Sequence, residues 1–175
     1  MVTTTKNVFY GAAIQGALKR GDRSELNRTL IGHIKASGFN VIFEQTGGAD
    51  SIQTASLLER SLGALPADDY PRWRFVRNKM VEGVEAIGTK CCIFEVSTPS
   101  TGTGIEIAHA YLRPRMGLPA IPVLALYERG YWPNGLSTMI RGISPEEVSH
   151  FTLKEYADVE EAKAHIAEIL RKLPD

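Results

Sequence analysis

The chain has 175 residues, of which 43% are hydrophobic, enough for one domain built from several helices around a central sheet. Its 20 basic and 20 acidic side chains cancel, so there is no global attraction to nucleic acid or an anionic membrane, and any anion specificity has to be local. The opening Met1 to Lys6 lacks the layout of a signal peptide, and no apolar stretch approaches membrane-spanning length; the expectation is a cytoplasmic protein with neither nucleic acid nor membrane as partner.

The first strand-like run is Val8-Phe9-Tyr10, which leads into a loop, Gly11-Ala12-Ala13-Ile14-Gln15-Gly16. Leu26, Leu30, Ile31 and Ile34 then share a helical face, with Asp22 as N-cap, Glu25 as its capping-box partner and Gly38 as the stop. A second strand is predicted over Phe39 to Phe43. From Gln45 to about Pro71 the rhythm breaks: Gly47-Gly48, Pro66, Asp68-Asp69 and Pro71 surround a short helical piece near Ser56 to Leu62, and residues 45–75 read as a lid or elaborated loop. Val81, Val84 and Ile87 form a second helical stripe, Cys91 to Val96 a third strand, and Ile105, Ala108 and Leu112 a third stripe. Ile121 to Tyr127 reads as a strand, Ser149 to Leu153 as a weaker one, and Val159, Ala162, Ile166, Ile169, Leu170 and Leu173 as a closing amphipathic helix. Strand and helix thus alternate throughout. The predicted fold is a single-domain α/β protein with a mostly parallel five-stranded sheet and helices on both faces, flavodoxin-like or Rossmann-like. Cys91 and Cys92 are adjacent in a strand, so they point to opposite faces, lack metal-site spacing and read as reduced structural residues.

Ligands of open α/β sheets bind beyond the carboxyl ends of the strands. The most informative loop there is Ser97-Thr98-Pro99-Ser100-Thr101-Gly102-Thr103-Gly104, which runs into a helix near Ile105-Glu106. Gly102 and Gly104 let backbone N–H groups approach an anion such as a phosphate, Ser100 and Thr101 add hydroxyls, and the helix start adds a positive field. That field would keep Glu106 ionised and suited to nucleophilic attack. Thr103-Gly104-Ile105-Glu106 also fits a capping box, in which the glutamate only satisfies a backbone donor, and the residues by themselves favour that role. The four histidines, His33, His109, His150 and His165, have no mutual metal-ligand spacing, and neither metal nor organic cofactor is expected. Trp73, flanked by Arg72 and Arg74 and near Arg77, fits a cover over a base or phosphate as well as a solvated basic patch.

The segment Glu95-Val96-Ser97-Thr98-Pro99-Ser100-Thr101-Gly102-Thr103-Gly104-Ile105-Glu106-Ile107 resembles the nucleoside 2-deoxyribosyltransferase family, most closely its 2'-deoxynucleoside 5'-monophosphate N-glycosidase branch. Leu136-Ser137-Thr138-Met139-Ile140-Arg141-Gly142 and the opening Val8-Phe9-Tyr10-Gly11-Ala12 are similar to two further motifs of that family. The resemblance implies hydrolysis of the N-glycosidic bond of a (deoxy)nucleoside 5'-monophosphate, with Glu106 as nucleophile and a covalent glycosyl intermediate. Counted back without gaps, the family's acid falls on Glu82, with Glu85 as the fallback. Ser100 stands where the free-nucleoside transferases carry an aspartate that would repel a 5'-phosphate, and so favours a nucleotide. Ser137 is similar to a serine that reaches the phosphate from a neighbouring subunit, which implies a homodimer or higher homo-oligomer with shared sites; helix capping explains Ser137 nearly as well. The family tyrosine of the first strand falls on Val8 or Phe9, with Tyr10 beside them, and the family's phosphate-binding arginine is replaced by Gln15, for which Lys19 or Arg20 could substitute. Two alternatives stay open: a transferase that exchanges bases, and a non-catalytic nucleotide-binding module.

Overall fold

The computed structural model describes residues 6–14, 20–131 and 136–174. Five strands form one parallel sheet in the order β2-β1-β3-β4-β5: β1 Asn7–Ala12, β2 Asn40–Val41, β3 Thr89–Glu95, β4 Val123–Glu128 and β5 Phe151–Tyr156. Among the described residues six α-helices accompany them: α1 Arg20–Ala36, α2 Ser51–Leu62, α3 Asp69–Glu85, α4 Thr101–Tyr111, α5 Thr138–Arg141 and α6 Val159–Arg171. The strands are buried on both sides because their side chains alternate into two separate cores. Val8, Tyr10, Cys91, Ile93, Leu124 and Leu126 pack under α1 and α6; Phe9, Cys92, Phe94, Val123 and Ala125 pack under α3 and α4. The two cysteines are free and face opposite cores, and burial pushes the Cys92 thiol up to about 12, so neither is a reactive thiolate at neutral pH.

The predicted α/β architecture is the one observed, with local differences. α1 already includes Asp22, so this residue lies within the helix rather than capping it. Gly38 ends α1 in the left-handed region (φ +87°), where the N–H groups of Gly38 and Phe39 close back on Lys35 and Ile34. β2 keeps only two residues, because Asn40 is exposed at the sheet edge and the chain leaves it for a 3₁₀ turn, Gln45–Gly47. β5 begins two residues after the predicted start and runs on through Lys154-Glu155-Tyr156, since the other edge strand tolerates polar side chains on its solvated face. Ile87 lies beyond the end of α3 and is exposed, so it is not part of a buried stripe. Residues 51–62 are a full helix rather than a short piece: Asp50 accepts the Gln53 N–H at 2.8 Å and Gly63 (φ +80°) ends it. Among the described residues, no helix is long and apolar enough to cross a membrane.

Candidate active site

The chain passes from β1 to β2 on one side and from α3 to β3 on the other, so the strand order reverses between β1 and β3. A crevice opens at such a switch point, beyond the carboxyl ends of the two strands. α4 starts there directly after β3. Its N-cap is Ser100, whose hydroxyl accepts the Thr103 N–H at 3.3 Å. The capping box is therefore not at Thr103: Glu106 lies in the second turn and does not cap the helix. The inward stripe of α4 is Thr103, Ile107 and Ala110, not Ile105, Ala108 and Leu112, and Ile105 is 48% exposed. Glu106 is three residues after Thr103 and four before Ala110, on the inward side. Thr103 and Ala110 are small enough to let the helix close onto the sheet.

The carboxylate of Glu106 lies over β1. An ideal Cβ built on Gly11 would be 2.9 Å from Glu106 Oε2 and 2.7 Å from the Phe94 ring, so the absence of a side chain at Gly11 is what makes room for the acid. Among the described residues, Glu106 accepts no hydrogen bond and meets no cation. Burial accordingly pushes its carboxyl from 4.5 to about 7. This direction is opposite to the one expected from the field of the helix start.

Glu106 opens into a cavity of about 950 Å³ whose wall combines Ala12 at the end of β1 and Ile14 beyond it, Gln45 after β2, Thr54, Leu58 and Glu59 of α2, Arg72, Trp73, Val76, Arg77 and Met80 of α3, and the cap Ser100 with Gly102 and Thr103 of α4. The 45–75 region thus supplies an entire side of the cavity. Arg72 pairs with Asp69, Arg77 donates to Asn78 at 3.2 Å, and Trp73 is 62% exposed at the rim. A second cleft of about 480 Å³ shares Ser100, Thr103 and Ile105 with the first but contains Gly104, Ser137, Met139 and Ile140 instead of Glu106. Ser137 caps the short α5, accepting the Met139 N–H at 3.3 Å. Within one chain, Ser137 and Glu106 therefore belong to different cavities.

The other sequence candidates are distributed as follows. Glu82 is on the exposed side of α3, 2.7 Å from Lys79, and does not line the cavity. Glu85 pairs with His109 Nδ1 at 2.6 Å and ties α3 to α4, also away from the cavity wall. Glu59 is the other carboxylate on the wall among the described residues. Phe9 is fully buried against Phe43 and Phe94, and Tyr10 on the opposite face donates to Asn27 Oδ1 at 2.8 Å; neither lines the cavity. Gln15 and Lys19 lie outside the described residues.

A charged network beneath the β3–α4 loop has no counterpart in the sequence reading. Glu95 Oε1 accepts from Arg23 Nη2 and the Tyr156 hydroxyl, each at 2.9 Å, and from the Ser97 hydroxyl; Arg23 also pairs with Glu128 and lies 3.9 Å from the Tyr131 ring centre. Burial works against the charge on Arg23, but Glu95 and Glu128 hold it more firmly protonated than usual. Arg23 is thus committed to the scaffold and fixes the loop that leads to Ser100. The available signal was Glu95, a lone charge in the apolar run Cys91 to Val96.

Fold and site together define an α/β protein with a cavity at the β1/β3 switch point, into which opens a half-buried carboxylate that has no partner among the described residues. No family model matches the chain. It is 34% identical over 145 residues to the Thermofilum pendens (strain DSM 2475 / Hrk 5) protein named "Putative 2'-deoxynucleoside 5'-phosphate N-hydrolase 1", an overlap covering 82% of this chain and 83% of that relative. The chain belongs to this N-hydrolase family, the branch of the deoxyribosyltransferase-like proteins that its motifs resemble.

Proposed function

We propose that the protein hydrolyses the N-glycosidic bond of (deoxy)nucleoside 5'-monophosphates through a glycosyl-Glu106 ester. The observation that carries this reading is the Glu106 carboxylate, half-buried, free of donors and cations among the described residues, and open to a cavity of nucleotide size. A carboxylate without donors keeps its electron density for attack. Glu106 forms a bond to C1' as the C1'–N bond breaks, and the departing base takes a proton from solvent, which the water of the second step returns. Water then adds at C1', returning Glu106 and releasing the sugar phosphate. In this reading the phosphate meets the amide-rich start of α4, where Ser100 and Gly102 line the cavity. Ser137, in the separate cleft, serves the site of a second copy in a homo-oligomer.

Incubation with a deoxynucleoside monophosphate and a second free base tests the reaction. Free base plus sugar phosphate is the expected outcome. A new nucleotide would mean base exchange, and tight binding without release of base over hours would mean a binding module.

A further inference from the structure

The β3–α4 loop begins with two buried residues held by their polar side chains. Ser97 is 2% exposed: its N–H donates to Glu95 Oε1 at 3.2 Å, its hydroxyl donates to the same oxygen, and its Oγ accepts the Glu128 N–H at 2.8 Å. The Thr98 hydroxyl, also buried, donates to the Tyr131 hydroxyl at 3.4 Å. Gly130 (φ +70°) turns the chain after β4, and Tyr131 comes back over the Arg23 guanidinium. The loop after β3 and the turn after β4 are thus laced together, with Arg23 as the cation between them.

Arg23 enters from the first turn of α1. Its Nη2 reaches Glu95 at the end of β3 and its Nη1 reaches Glu128 at the end of β4, whereas its Nε is covered and meets no acceptor among the described residues. Two carboxylates therefore share one guanidinium, and Glu95 takes the Tyr156 hydroxyl as well. A buried cluster of this kind is a weak source of stability, because desolvation offsets much of the attraction. What it supplies is a single geometry, since a planar fork spans two acids only at fixed angles. Glu95 and Glu128 pass that geometry to Ser97, and the chain carries it three residues on to Ser100, the cap of α4 on the cavity wall. Arg23 itself does not line the cavity.

Building on the N-glycosidase reading, we propose that Arg23 is a positioning residue for the phosphate of the nucleotide: through Glu95, Glu128 and Ser97 it holds the β3–α4 loop so that the start of α4 meets the phosphate, without touching substrate. The role concerns how firmly the nucleotide is held, not the attack by Glu106 once it is bound. Loss of Arg23 therefore weakens ground state and transition state alike, which raises KM and spares kcat.

The test measures kcat and KM for a deoxynucleoside 5'-monophosphate and for the matching deoxynucleoside, in wild type, Arg23→Lys and Ser97→Ala. Lysine keeps the charge but, as a single point, cannot span both carboxylates. Ser97→Ala removes one hydroxyl and no charge, and it carries the test if Arg23→Lys does not fold. In each folded variant KM for the nucleotide should rise roughly tenfold or more, while kcat, and kcat/KM for the nucleoside, stay within about threefold. Nucleotide constants that stay within about threefold of wild type would overturn the proposal, as would a loss carried mainly by kcat or an equal loss for nucleotide and nucleoside. Wild-type protein that hydrolyses nucleotide and nucleoside with equal kcat/KM would also overturn it, with the glycosidase reading left standing. Nucleotide binding without release of base would remove the hydrolase reading; calorimetric dissociation constants then replace KM, and a roughly tenfold weakening in the variants upholds the positioning role while an unchanged constant ends it. Neither binding nor release would overturn both.

Discussion

Replacing Glu106 by glutamine separates stability from activity in opposite directions. The native carboxyl is held near 7 against an ordinary 4.5, with burial as the cause. The folded state therefore keeps a proton that the unfolded chain releases as pH rises from about 4.5 to 7, and stability falls across that window. At about 1.4 kcal/mol per pH unit, the ionised carboxylate costs the fold up to roughly 3 kcal/mol at pH 8. Glutamine is neutral, nearly isosteric and free of this cost. Glu106→Gln should thus unfold in denaturant like the wild type near pH 4.5 but be more stable by about 1–3 kcal/mol at pH 8. Its release of base should fall by roughly three orders of magnitude or more, the usual consequence of removing a covalent nucleophile. Equal stabilities at pH 8 would show that Glu106 is solvated or paired, and the argument from burial would fail; retained turnover would remove it as nucleophile.

Because the attacking form is the carboxylate, kcat/KM of the wild type should rise through about pH 7 and level off above it, and a profile flat from pH 5.5 to 8.5 would contradict this. Gly11→Ala forces a methyl into the Phe94 ring and the Glu106 carboxylate, with an expected loss of about 1–3 kcal/mol in stability and at least roughly tenfold in turnover; Gly32→Ala in α1, where a Cβ meets nothing within 4 Å, is the control measured beside it. Glu82→Ala removes an exposed partner of Lys79 and should change stability by less than about 0.5 kcal/mol and leave turnover within about threefold; a hundredfold loss of turnover would mean that Glu82 reaches the substrate. Mixing Glu106→Gln with Ser137→Ala protein should restore activity above that of either alone, since one site of a mixed dimer then has both residues intact; no recovery on subunit exchange would argue that each chain completes its own site.

The strands in the middle of the sheet were legible because both of their faces are buried, which leaves unbroken apolar runs such as Cys91 to Phe94 and Val123 to Tyr127. The edge strands were not: β2 shrinks to Asn40–Val41, and β5 runs on through charged residues, because an edge owes its course to a single neighbour and to solvent. The candidate site was legible as a segment. Ser100, Gly102 and Glu106 do line one cavity, whereas Glu82, found by counting along the chain, falls on the outer side of α3. Counting cannot reveal which side of a helix faces a partner until the packing of that helix is known.

Sequence by itself determined the parallel α/β sheet and the loop after β3, because both are written in local periodicity and in contiguous motifs. It could not decide between a capping and a reactive glutamate, since Thr103-x-x-Glu106 fits both. Tertiary structure removes only the cap: Ser100 caps α4, Gly11 leaves a gap in β1, and the carboxylate enters that gap with no partner among the described residues. Arg23, Glu95, Glu128 and Tyr156 became visible only in the fold. They are far apart along the chain, and the desolvation that makes their pairing, or the lack of it, consequential exists only once the chain has packed.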